Sequence, residues 1–228
     1  EEDESRCWRE NVIGPGVLAR ACARHGVRVV GFSSDLVFDG QIDRPYVESD
    51  LPRPLNAYGR SKLEAERAML GATSDALVVR TAAFFGPWDR YNFVTCSLQA
   101  LRRGEAVIAA EDQEVSPTYV PDLVNATLDL LIDGERGVWH LANRGAVSWA
   151  ELARMAAEAT GLDPGLVQGR PGSTLGQRAP RPRFAALASE RAQLLPPLSD
   201  ALARYVAAVE PEPAAPARSV PARLAEVG

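Results

Sequence analysis

Cysteine and histidine are scarce in this chain of 228 residues, which has three of the first and two of the second. Cys7, Cys22 and Cys96 are odd in number and too far apart for a CxxC pair. Neither a disulfide framework nor a zinc site is expected, and reduced thiols in a cytoplasmic protein are. His25 and His140 have no acidic or cysteine residue at ligand spacing, which argues against a metal centre and against a His-based triad. His25 instead precedes Gly26 at an expected helix end, where a cation suits the last carbonyls. Basic clusters are missing as well: 25 Lys and Arg stand against 30 Asp and Glu, net charge -5, with the arginines scattered. Nucleic acid is therefore not an expected partner. No apolar run is long enough to cross a bilayer and no basic-then-apolar leader opens the chain, so no membrane partner is expected either.

The 46% of hydrophobic residues is enough for a core, and its pattern alternates. Residues 5–25 carry a helical period through Val12, Ile13, Val17, Leu18, Ala21 and Cys22, with a kink expected at Gly14-Pro15-Gly16. VRVVGFSS (27–34) is a short continuous apolar run, the mark of a strand buried on both faces of a parallel sheet. A helix from near Tyr58, a strand at 76–80, a helix at 92–103 and a strand near 106–110 follow. Then come a helix at 120–134, a strand at 137–142 and a helix at 148–161, the last opened by Ser148 and Glu151 as a capping box. A final helical region is expected at 187–208. This rhythm predicts an α/β fold with a doubly wound parallel sheet. It divides into a core at 1–147, a small, mainly helical lobe at 148–208 and a Pro/Ala-rich tail at 209–228.

The stretch PLNAYGRSKLEAE (54–66) sets Tyr58 and Lys62 on one helix face, about 5–6 Å apart at Cβ. Alone, the pair reads as an ordinary helix with Arg60–Glu64 and Lys62–Glu66 ion pairs on a solvated face. Ser33, Ser34 and Asp35 change the weighting, because they fall at the carboxyl end of the 27–34 strand, where open α/β sheets bind ligands. A serine hydroxyl there and a Tyr–Lys pair on the next helix can converge on one carbonyl oxygen. As hydride reaches a ketone carbon, charge develops on that oxygen and a positioned phenol can protonate it. The ammonium would lower the phenol pKa and could also bond a nucleotide ribose.

FSSDLVFDG, RPYVESDLPRPLNAYGRSKLEAE, VRT, DQEVSPTY and the closing RPRFAALASERAQLLPPLSDALARYVA together resemble, in order, the dTDP-4-dehydrorhamnose reductase family. These are extended short-chain dehydrogenases/reductases that reduce a 4-keto sugar nucleotide with NADPH, and the likeness runs from about residue 3 to 208. The resemblance implies Tyr58 as general acid, Lys62 as its partner and Ser34 as the triad hydroxyl, with Tyr58 and Lys62 also touching the cofactor. Asp112, Gln113, Ser116, Pro117 and Thr118 match the loop that lines the sugar pocket, for which the plain alternative is a surface turn. Asn11 matches an Asn that supports the site in relatives and is read equally well as structural. Val37 to Gly40 is expected to shape a loop.

Two substitutions and one absence depart from that pattern. Ala82-Ala83, then Phe84-Phe85, replace a Ser-Trp whose Trp packs near the sugar, and Val115 replaces a usual Gly, so the loop is expected to take another path. The substituted RTAAFFGPWDRYNFV resembles reductase-type modules fused behind family 1 glycosidase-like domains. No strand, Gly-rich turn and helix of the kind that holds a dinucleotide pyrophosphate occurs before Ser5. The reading is thus a truncated Rossmann-like core that takes NADPH or NADH only with an upstream half. It would be inactive alone, with an apolar sheet edge that an upstream segment or a homo-oligomer would cover. The alternative is a non-catalytic module that binds a sugar nucleotide or a protein through the same pocket, as in the related regulatory subunit of methionine adenosyltransferase.

Overall fold

The computed structural model describes residues 1–209, so the expected tail lies outside the described residues from 210 onward. Helix α1 (Glu4–Trp8) is capped by the Asp3 carboxylate, which accepts from the Arg6 N–H at 2.8 Å. A wide π turn, Arg9–Ile13, then leads into α2 (Gly14–His25). The distortion comes earlier than the Gly-Pro-Gly motif suggests. Pro15 has no N–H to give and its ring crowds the carbonyl of Asn11, so the preceding turn widens and the Gly14 N–H reaches back five residues to Arg9. Gly26 closes α2 at φ 63 after Arg24 and His25, the expected cationic end.

Strand β1 (Val30–Ser34) is followed by α3 (Ala57–Ala72), β2 (Leu77–Thr81), β3 (Phe84–Phe85), α4 (Phe93–Arg102) and β4 (Val107–Ala110). Then come β5 (Glu114–Val115), β6 (Thr118–Tyr119), α5 (Val120–Ile132), β7 (Gly137–His140) and β8 (Val147–Ser148). Helix α6 (Trp149–Ala159), β9 (Val167–Arg170) and α7 (Leu198–Ala208) complete the described chain. The last helix is shorter than the period suggested. Pro196 and Pro197 remove two successive donors, so α7 begins only at Leu198, and 187–197 runs as irregular chain.

The main sheet has the order β1-β2-β7, all parallel, with Val30 opposite Leu77 and Leu77 opposite Gly137. Central β2 is buried throughout, which is why LVVRT shows no alternation. One core packs Leu77, Val79 and Trp139 of the sheet against Leu123 and Leu130 of α5. A second joins Phe85, Leu98, Tyr119, Leu152, Leu202 and Tyr205, and so draws α4 from before residue 147 together with α6 and α7 from after it. The edge of β7 is closed by the Glu48 carboxylate, which accepts the His140 N–H at 2.8 Å. Among the described residues, β1 pairs only with β2, and Phe32 on it is 45% exposed. Trp8, Ile13, Val17, Leu18 and Val27 are exposed as well. None of the described helices is long and apolar enough to cross a membrane.

Candidate active site

Beyond the carboxyl ends of β1 and β2 lies a cleft of about 550 Å³. Ser33, Ser34, Asp35, Tyr58, Thr81, Phe84 and Gln113 line it, together with Trp149, Arg178 and Arg181. Ser34 ends β1 and caps a short turn at Asp35–Val37, its Oγ accepting from the Leu36 N–H at 3.1 Å. The same hydroxyl donates to Asp35 Oδ1 at 2.8 Å. Asp35 is only 6% exposed, and burial pushes its carboxyl up to about 6 against the opposing pull of Ser34, the Leu36 N–H and Arg181.

The opposite wall is the first turn of α3. Asn56 caps it, accepting from the Gly59 N–H at 2.7 Å while its amide donates to the Pro180 carbonyl at 2.9 Å. Gly59 is required by contact: a Cβ there would stand 2.1 Å from the Leu36 carbonyl oxygen. This close approach seats Tyr58 across from Ser34, with the residue 44% exposed. Burial first, and then the Asp35 charge, push the phenol above its ordinary value, while the Ser34 hydroxyl and Arg181 pull the other way. The expected dominance of Lys62 is not found. Its ammonium lies 5.9 Å from the Tyr58 ring centroid, outside the cleft lining, and burial holds its own pKa below the usual value against Glu66 and Cys7. Among the described residues Lys62 makes no hydrogen bond to Ser34 or Tyr58 and has no carboxylate partner, whereas the Ser34 hydroxyl lies close enough to the phenol to pull on it.

Behind Tyr58, the buried Ser61 hydroxyl donates to the Tyr58 carbonyl at 2.7 Å and accepts from the Asn11 amide at 3.0 Å. Asn11 thus reaches the helix that carries Tyr58 from the π turn. Glu66 corrects the solvated-face expectation, because it is buried, takes a hydrogen bond from Ser33, and pairs with Arg80 at 2.7 and 2.9 Å rather than with Lys62. Glu64 pairs with Arg67, and Arg60 with Glu4.

Of the residues expected to line the sugar pocket, Gln113 lines the cleft, as does Val115 of the same loop, and Gln113 exchanges two amide bonds with Gln177 at 2.9 and 3.0 Å. Asp112 accepts from the Gly172 N–H at 2.7 Å. Ser116 is buried on the Leu187 backbone, Thr118 is buried against Thr81, and Pro117 is buried between them. These four are corrected from lining to framework, because β5 and β6 draw the loop into the fold. Val115 sits in extended β5 opposite Val147, so no glycine torsion is needed there. The aromatic surface is Phe84 with Trp149, while Phe85 is core. Ala83 lies in the left-handed region at φ 40, on the cleft wall. Sequence reasoning missed Trp149, Gln177, Arg178 and Arg181. The three last belong to irregular chain with no period, and the only signal was the RPRF stretch within the resemblance.

An open α/β sheet with its ligand cleft at the carboxyl ends of the strands defines the class. The chain belongs to the family of the RmlD substrate binding domain, whose model matches residues 1–210. It is 41% identical over 218 residues to dTDP-4-dehydrorhamnose reductase of Mycolicibacterium smegmatis, with 92% of this chain and 66% of that protein covered. The reductase of the same name from Mycobacterium tuberculosis is 40% identical over 196 residues, with 84% and 64% covered. The chain therefore spans about two thirds of the length of these relatives, and the expected glycosidase-linked likeness finds no counterpart in their names. Among solved structures, the dTDP-4-dehydrorhamnose reductase of Clostridium acetobutylicum superposes with a TM-score of 0.86 at 28% identity, covering 91% of this chain and 75% of that one. The Bacillus anthracis enzyme, solved in complex with NADP, gives 0.82 at 28% identity, with 86% and 71% covered.

Proposed function

We propose that this cleft binds a dTDP-linked 4-keto-6-deoxy sugar, with Ser34 and Tyr58 on the keto oxygen, and that the ketone is reduced with NADPH in a polypeptide that also supplies a pyrophosphate cradle. The observation that carries the reading is Ser34 and Tyr58 on facing walls of one cleft, with Lys62 one helical turn behind the phenol. NADPH, when bound, supplies the hydride. Lys62 has three donors and no carboxylate partner among the described residues, which fits the ribose end of a dinucleotide. A pyrophosphate cradle is not found among these residues, since α2 opens from a π turn and not from a strand and a Gly-rich loop.

Within the chain, Ser34 and Tyr58 orient the ketone, and Tyr58 holds the proton that the developing alkoxide takes. A phenol raised by burial keeps that proton at neutral pH, which suits the reducing direction. Phe84 and Trp149 give the sugar or base apolar faces, and Arg178 and Arg181 offer charge to the diphosphate. Ala82-Ala83, where the resemblance has a Ser-Trp, favours a second reading, a sugar-nucleotide-binding module without turnover. Calorimetric titration of the chain with dTDP-4-keto-6-deoxy-D-glucose tests the shared part of both: micromolar binding that Arg181→Ala weakens is expected. No binding would remove both readings.

A further inference from the structure

The Ser34 hydroxyl has one hydrogen, and in this structure it is committed. Oγ donates to Asp35 Oδ1 at 2.8 Å and accepts from the Leu36 N–H at 3.1 Å, which leaves one lone pair toward the cleft. In that state Ser34 can accept from an alcohol or a phenol, but it meets a ketone oxygen lone pair to lone pair. A ketone needs the opposite polarity. If Asp35 carries a proton, Asp35 donates to Oγ, the Leu36 N–H still donates to Oγ, and the serine hydrogen is free to point into the cleft. We infer that Asp35, which lines the cleft beside Ser34, is a positioning residue whose proton decides whether Ser34 donates to a ketone or accepts from an alcohol. The inference rests on the function proposed above and assigns a role to a residue which that function leaves unused.

The surroundings isolate the effect. The titratable and charged groups that act on Asp35 are Tyr58 from α3 and Arg181 from the irregular chain before Phe184. The phenol is pushed up and so does not change state between pH 5 and 8. Asp35 does, because burial raises its carboxyl to about 6. The carboxyl is also sequestered enough, at 6% exposure, for water not to take over the bond to Ser34.

The test is binding, by calorimetry on the full chain from pH 5 to 8. Its probes are dTDP-4-keto-6-deoxy-D-glucose and the same sugar nucleotide with its 4-keto group reduced to a hydroxyl. The ketone should weaken relative to the alcohol by up to roughly tenfold per pH unit above about 6, the limit for a ligand that requires the protonated acid. Asp35→Asn, whose amide donates to Oγ at every pH, should hold ketone affinity flat. Ser34→Ala, which keeps the carboxylate but has no hydroxyl to turn, should also lose the slope. A ketone-to-alcohol ratio that is flat with pH in the unaltered chain overturns the inference without needing any variant to fold. So does a slope that survives in Ser34→Ala, since the carboxylate would then act on the ligand directly. If neither sugar nucleotide binds, the inference falls together with the proposed function; if both bind and the ratio is flat, it falls alone.

Discussion

Burial does more than neighbouring charge to set the titration of Asp35 and Tyr58, and each consequence can be measured. Asp35 has an ordinary carboxyl value of 3.8 and a folded value of about 6. Between those values the folded chain holds a proton that the unfolded chain releases, so stability falls as pH rises from about 4 to 6. A gap of roughly two pKa units corresponds to about 3 kcal/mol. Asp35→Asn removes the buried charge, so the variant should gain thermal stability at pH 7 by an amount of that order and gain little at pH 4. Melting temperatures at the two pH values check it, and an equal difference at both would contradict the assignment. At this scale the placing of Tyr58 and Ser34 beside one cleft was legible, because spacing on a helix and position at a strand end are local properties, while Lys62, expected with them, lies outside the cleft lining. Asp35 was visible as a strand-end residue but given no task, because the commitment of the Ser34 hydrogen to it depends on three-dimensional placement.

At the level of elements, the site depends on how α3 meets the turn after β1. Asn56 and Gly59 do this together, one by capping and the other by having no side chain where the Leu36 carbonyl passes. Gly59→Ala must push the helix start away from Ser34, since a contact of 2.1 Å to backbone cannot be relieved by a rotamer change. A loss of roughly 1–3 kcal/mol in urea unfolding, the range for overpacking a tight contact, is expected along with weaker sugar-nucleotide binding. Unchanged stability and binding would show that the helix start has slack. The strands, most helices and the parallel arrangement were readable from apolar runs and their spacing. Two misreadings share one cause: the 187–197 region and the solvated Glu66 were judged from local pattern, and prolines and a buried Arg80 decided them instead. The lining role of Ser116 and Thr118 came from the family resemblance, and two short strands hold them in the framework instead. The arginine wall of the cleft had no periodic signal at all.

For the whole molecule, two features point the same way. The exposed Phe32 edge of β1 lies on the described surface with the apolar residues Ile13, Val17 and Leu18 of the preceding helical segment also exposed. An unpaired apolar edge invites strand addition by other chains. Light scattering on the 228-residue chain should report association that Phe32→Lys suppresses, and calorimetry should report negligible NADPH binding. A monodisperse monomer that binds NADPH in the micromolar range would mean that these residues hold the cofactor without a strand, Gly-rich turn and helix. The central claim is chemical, that Tyr58 gives the proton to a sugar ketone. It is tested most directly by NADPH oxidation with dTDP-4-dehydrorhamnose in a polypeptide that joins this chain to the part of the Mycolicibacterium smegmatis relative it does not match. Tyr58→Phe keeps the ring and removes the proton, so turnover should fall by roughly 10²–10⁴ while sugar-nucleotide affinity is retained. Equal turnover by the two proteins would contradict the account, because a group other than Tyr58 would then give the proton to the ketone.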